Sequence, residues 1–215
     1  MALSSVLFLL LPTFSDADSI VNLETTVVSA NRTEQRIENT TVSIDVLPQR
    51  LLTSKSNSRI EQVIQMSPGV TIQDGQANIR SGSGWSLGAG SRVLLLVDDL
   101  PVLSPDAGGA IWNAMPMEAI EQIEIVKGAA SSLYGSSALN GVIHLRTWEP
   151  SDEMRIRVNT MTEIYDQAKI NSLNWSNQVR GQGAIRFAYS DSRGENNKHG
   201  WVFHGQALND QGFQY

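Results

Sequence analysis

Residues 120–147 read IEQIEIVKGAASSLYGSSALNGVIHLRT. From Ile123 to Lys127 the residues alternate with period two, as a strand does. Gly128 turns the chain, residues 129–134 suit a single helical turn, and Gly135 releases it. Residues 142–147 (VIHLRT) predict a second strand. Strands tied by a short, glycine-bounded helical turn, in a stretch this compact, point to an α+β domain with a mixed sheet and short helices.

Working outward, residues 92–97 (RVLLLV) form a continuous apolar run, expected of a strand covered on both faces. Asp98-Asp99 ends it. Pro116 suits the first turn of a short helix through Ile120. Residues 42–47 (VSIDVL) predict a strand closed by Pro48. Ser58 and Glu61 have the spacing of a capping box for a helix whose Ile60, Val63 and Ile64 share one face. Ser67-Pro68-Gly69 stops that helix. Short strands are expected at 70–72 and 78–80, then a glycine-rich stretch at 81–91.

Composition narrows the function. The net charge is −6 and the pI about 5.0, against the clustered basic surface of a nucleic-acid binder. The cysteine count is 0, which removes disulfides, thiolate metal sites and cysteine nucleophiles. His144, His199 and His204 lack zinc-hydrolase spacing. Gly82, Gly84 and Gly88 resemble a dinucleotide loop only superficially, since the third glycine comes one residue late and no capped helix follows. The carboxylates of Asp98 and Asp99 could serve a metal or acid–base chemistry. A strand-to-loop turn is favoured, because adjacent strand residues point to opposite faces. No catalytic residue, metal site or cofactor is therefore assigned. Trp85 and Trp112 lie in loop-like sequence, as core anchors or as ring faces open to a ligand.

The chain ends add two segments. Residues 2–11 are mostly apolar and too short to span a bilayer as a helix. With Pro12 behind them and small Ser15 and Ala17, residues 1–17 read as a secretory signal peptide lacking the usual basic start. Next come Glu24, Thr25, Thr26, Val27, Val28, Ser29 and Ala30, β-branched and extended. Such a segment suits strand addition onto a partner sheet, or an ordinary edge strand. At the other end, Met154, Ile156 and Val158 alternate with Arg155, Arg157 and Asn159. Similar alternation recurs around Ile185, Phe187 and Tyr189, and at Trp201 and Phe203. Four strands are expected, near 154–163, 168–178, 182–191 and 200–208, either in a soluble meander or in a membrane barrel.

Four segments, in order, resemble the plug domain of TonB-dependent outer-membrane receptors. Residues 24–30 (ETTVVSA) resemble the TonB box, and 60–70 (IEQVIQMSPGV) the plug helix with its Pro-Gly turn. Residues 78–100 resemble the segment "IRG … VLVLVDG", and 120–147 the block "IERIEVVRGPASALYGSGAIGGVINIIT". The wording of the glycine-rich segment is similar to the Bacteroidetes branch. Ser81, Asp99 and Asn140 stand where the family has glycine, and Ala129 where it has proline.

The resemblance implies a signal peptide at 1–17, an extension with the TonB box at 18–34, a plug at 35–150, and the first antiparallel strands of a transmembrane β-barrel at 151–215. A barrel of 22 strands at ~10 residues each needs at least ~220 strand residues. Residues 151–215 fall far short of that, so the chain is expected to be the N-terminal part of a receptor. A stand-alone periplasmic binding module is the alternative. The implied function is energised uptake of a scarce ligand, such as a ferric siderophore or cobalamin, across the outer membrane. The implied partners are TonB with its inner-membrane energising complex, outer-membrane lipid and a small-molecule ligand such as a metal chelate. Arg80 and Lys127 map to the basic residues that bridge plug to barrel, and Trp85 and Trp112 are expected to face the ligand.

Overall fold

The computed structural model describes residues 26–27, 33, 35–53, 59–82, 85–86, 90–106, 108–112, 117–151, 153–165, 180–193 and 199–210. The expected signal peptide and the strand near 168–178 lie outside these residues. In chain order the elements are β1 (Thr26–Val27), β2 (Gln35–Arg36), β3 (Ile44–Pro48), α1 (Gln49–Thr53) and α2 (Ile60–Ile64). Next come β4 (Val70–Gln73), β5 (Gln76–Ile79), β6 (Trp85–Ser86), β7 (Gly90–Ser91), β8 (Val93–Val97) and β9 (Leu100–Pro101). Then follow a 3-10 turn at Met117–Ala119, β10 (Ile120–Lys127), α3 (Ser131–Tyr134) and β11 (Gly141–Thr147). β12 (Arg155–Tyr165), β13 (Arg180–Arg193) and β14 (His199–Asp210) complete the set.

The larger sheet has the order β3-β10-β11-β8-β9 and is mixed, β11 and β8 running parallel and the other neighbours antiparallel. One face carries Leu95, Ile123, Ile125, Ile143 and Leu145 against Ile60, Val63 and Ile64 of α2. The other carries Leu94, Leu96, Val126 and Val142 against Ala130 and Ala138. Both faces are thus covered, which is why residues 92–97 needed no polar alternation.

Two tight hairpins complete the domain. Asp74-Gly75 joins β4 to β5, and Asp98-Asp99 joins β8 to β9, each as a two-residue loop. All four residues have positive φ (50°, 74°, 45° and 67°), the pattern whose twist matches that of the flanking strands. Asp99 therefore forms the left-handed turn that the family's glycine would ease, and Ser81 likewise sits at φ 59°. Asn140 departs from expectation, because the neighbouring Gly141 takes the positive φ, 153°. The capping box is not seen either: α2 starts at Ile60 behind Arg59, which gives no side-chain cap, and Ser58 lies outside the described residues. The helix expected from Pro116 to Ile120 reduces to the 3-10 turn, and Ile120 already belongs to β10.

β12, β13 and β14 form a separate antiparallel sheet of long strands. Ile156, Val158, Ile164, Ile185, Phe187, Trp201 and Phe203 are all exposed. In register, Val158 lies beside Phe187, and Phe187 beside Gly205. A side chain at Gly205 would collide with the Phe187 ring, so the glycine makes room for the ring to lie across the strand. Among the described residues no helix is long and apolar enough to cross a membrane.

Candidate functional site at the seam between the two sheets

Of the seven residues expected to receive a partner strand, Thr26 and Val27 are described. They pair antiparallel with Arg36 and Gln35, and Val27 is fully buried. These two residues are thus paired within the chain. Glu24, Thr25, Val28, Ser29 and Ala30 lie outside the described residues.

Arg80 follows β5 with φ 54° and is exposed, its backbone N–H donating to the Gly69 carbonyl at 2.8 Å. Its charge reaches Asp45 through its field. Lys127 differs. Its Nζ donates to Asp45 Oδ2 at 2.5 Å and to the Pro68 carbonyl at 2.7 Å, and the side chain is buried. Its charge is met inside the mixed domain, where β10 points it toward β3 and the turn after α2. Ser67 Oγ donates to the same Asp45 oxygen at 2.6 Å. Partial burial works to raise the Asp45 pKa. The hydrogen bonds from Lys127 and Ser67, with the fields of Lys127 and Arg80, outweigh it and leave the pKa lowered.

Trp112 is a core residue, which corrects its assignment to the ligand side. It is 8% exposed, packs with the main cluster, and donates its Nε1–H to the Gly75 carbonyl at 2.7 Å. Its polar edge found a backbone acceptor, as a buried indole requires. Trp85 stands in β6 opposite Ser91, and its side chain lies outside the described set.

The Asp98-Asp99 pair is a turn. Asp98 accepts the Thr147 N–H at 2.9 Å and the Thr147 hydroxyl at 2.5 Å, tying the hairpin to the end of β11. The Asp99 N–H donates to His144 Nε2 at 3.2 Å. Burial lowers the His144 pKa, opposed by the nearby Glu124 carboxylate. An imidazole accepting at Nε2 is neutral, in keeping with that direction.

The seam itself went unread in the sequence. Glu118, in the 3-10 turn before β10, is 6% exposed and faces the three-stranded sheet. Burial raises its pKa, while Arg157 of β12 and Arg186 of β13 pull it back down. Glu118 Oε2 has no hydrogen-bond partner among the described residues, so the two guanidiniums act on it through their fields. Beside it, the Trp148 backbone N–H donates to the Ala119 carbonyl at 2.7 Å. The Trp148 ring has the guanidinium carbons of Arg155 and Arg157 over it, at 5.1 and 5.0 Å from its centroid. Ala119, Trp148 and Ala188 pack together at the centre. Arg155 and Arg157, two apart in β12, share one face of the strand; only the order of the elements brings Glu118 to that face.

Comparison with known proteins matches residues 36–142 to the TonB-dependent Receptor Plug Domain. The vitamin B12 transporter BtuB of Vibrio vulnificus (strain YJ016) is 30% identical over 182 residues, covering 83% of this chain and 29% of the relative. The metal-pseudopaline receptor CntO of Pseudomonas aeruginosa is 28% identical over 170 residues, covering 77% of this chain and 23% of the relative. Among solved structures, BauA, the ferric preacinetobactin receptor of Acinetobacter baumannii, superposes with a TM-score of 0.60 at 18% identity, over 86% of this chain and 25% of that one. The siderophore receptor PirA of Pseudomonas aeruginosa gives a TM-score of 0.57 at 22% identity, over 78% and 28%. The chain thus spans under a third of the length of these relatives.

Proposed function

The chain belongs to the TonB-dependent receptor plug domain family through residues 36–142, and on that premise we propose that it supplies the plug and the first wall strands of an outer-membrane transporter. The observation that carries this reading is one polypeptide holding two solvents' worth of patterning: a mixed domain with a buried apolar core, then long strands whose apolar side chains face outward. Strands of that kind suit lipid on one side and a filled lumen on the other. The domain fills the lumen, and a scarce ligand, a ferric siderophore or cobalamin, is taken up past it. Relatives named for vitamin B12 and for a metal–pseudopaline complex support that class of cargo.

The receptor makes and breaks no covalent bond in this scheme. TonB adds a strand to residues 24–30 and pulls, so Thr26 and Val27 must first leave Arg36 and Gln35. The inner-membrane energising complex supplies the work. The outer membrane is the compartment, with the plug reached from the periplasm.

Val27→Pro tests the assignment of residues 24–30. Proline removes an N–H that a strand partner needs. In titrations of the purified chain in detergent micelles with the periplasmic domain of TonB, the variant is expected to lose binding. Unchanged binding would overturn that assignment.

A further inference from the structure

The Glu118–Trp148 seam has no part in the transport scheme above, and its residues are not those the resemblance marks. Four features of it converge. Glu118 is a carboxylate almost wholly removed from solvent, on the plug side. Opposite stand Arg157 and Arg186, flanking Ala188: Arg157 is its register partner in β12, and Arg186 precedes it by two residues on the same face of β13. Ala119 and Ala188 are both fully buried and pack in one cluster with Trp148. Trp148 then covers one flank with its ring under Arg155 and Arg157.

We infer that Glu118 and Trp148 form the docking surface by which the plug recognises its own wall, with a polarity opposite to that of Arg80: here the plug gives the carboxylate and the indole, and the first two wall strands give the guanidiniums. The buried Oε2 of Glu118 and Nη1 of Arg157 make no direct hydrogen bond. Complementary charge and ring contact at Glu118 and Trp148 are joined by the hydrogen bonds that Arg155 and Ser190 donate to the Glu149 carbonyl at 2.8 and 3.3 Å. Such a contact selects the right seat and still lets the parts separate without breaking a fully satisfied network. The lone carboxylate also opposes stray seating, because the wrong face of a strand would offer it no cation.

This inference rests on reading β12–β14 as wall, and its test is separable from the TonB titration. The chain has no cysteine, so Ala119→Cys with Ala188→Cys reports the seam alone. In the full chain in detergent micelles, that pair is expected to cross-link as a disulfide under a mild oxidant. Adding Glu118→Lys should cut the yield by about tenfold, since it sets a cation against two others. Adding Arg157→Glu to that variant restores the original count of charges, and the yield should recover. Without the cysteines, Glu118→Lys should also speed exchange of the Trp148 amide about tenfold, with the amides of β10 and β11 as the control for folding. The milder Glu118→Gln should fall between. A Glu118→Lys chain that cross-links like the parent, or a double charge variant no better than the single one, would overturn the inference. So would absence of the cross-link in the parent pair.

Discussion

In β10 and β11 the side chains of Ile123, Ile125, Ile143 and Leu145 are fully buried, whereas in β12 Ile156, Val158 and Ile164 stand 60%, 64% and 72% exposed. Both regions place apolar residues two apart along a strand. In the first the apolar face turns inward against α2. In the second it turns outward, and the face carrying Arg155, Arg157 and Arg186 is the one that meets Glu118 and Trp148. Alternation reports that a strand has two different sides; it does not say which of them water touches. What decides is the partner: α2 covers the first apolar face, and among the described residues no helix covers the second.

The largest way to break the comparison is Leu145→Ala, a cavity beneath both α2 and the sheet, expected to cost about 2–5 kcal/mol. The measurement is amide exchange in β10 and β11, and a cost near zero would mean that this core is not what holds the domain. Val158→Arg is the matching test on the other sheet. It should cost about 2–4 kcal/mol for insertion into a bilayer, where the strand meets lipid. Soluble behaviour identical to the parent with no loss of vesicle insertion would erase the contrast.

Lys127→Met comes next. It removes two charge-assisted hydrogen bonds that join β10 to β3 and to the turn after α2, at about 1.5–3 kcal/mol. The pH dependence has a fixed sign. Asp45 has its pKa lowered in the folded state, so its contribution is present above the ordinary aspartate range and is lost as the pH falls through the depressed value. Acid unfolding of the plug should therefore move to lower pH when Asp45 is kept than in Asp45→Asn, as followed by circular dichroism. The smallest effect is expected for Asp99→Gly. Relieving a side chain at φ 67° while keeping the backbone N–H bond to His144 should change stability by no more than about 1 kcal/mol, toward the folded state. A clear destabilisation would show that the Asp99 carboxylate has a role beyond the turn.

The strands of the mixed sheet were legible because period and punctuation agree there: Gly128 and Gly135 bracket the helical turn, and residues 93–97 offer no polar break. The Asp74-Gly75 hairpin carried the strongest short-range turn signal in the chain and still went unread between two brief strands. α1 went unread as well, since Pro48 reads as a stop rather than as the residue before a helix. Trp112 was misplaced because an indole in loop-like sequence gives no hint of a carbonyl such as that of Gly75 waiting for it. The internal partners of Lys127 went unread for a related reason: its acceptors are 82 and 59 residues away in the chain. The seam is the extreme case, because Glu118 and Arg186 acquire meaning only when the 3-10 turn before β10 is set against β12 and β13.

β3 lies at the rim of the mixed sheet and is the first long element after the N-terminal segment. Tension entering the chain upstream of Ile44 and across the axis of β3 loads that ladder from one end, so its rungs part in succession, as in a zip. The first rungs to feel the load are the Lys127 N–H on the Ser43 carbonyl and the pairing of Ile44 with Val126, with Asp45 and its clasp on Lys127 immediately behind. β10, β11 and β8 keep their own pairing while this happens. A pull of modest strength can thus open one margin of the stopper and leave its centre standing.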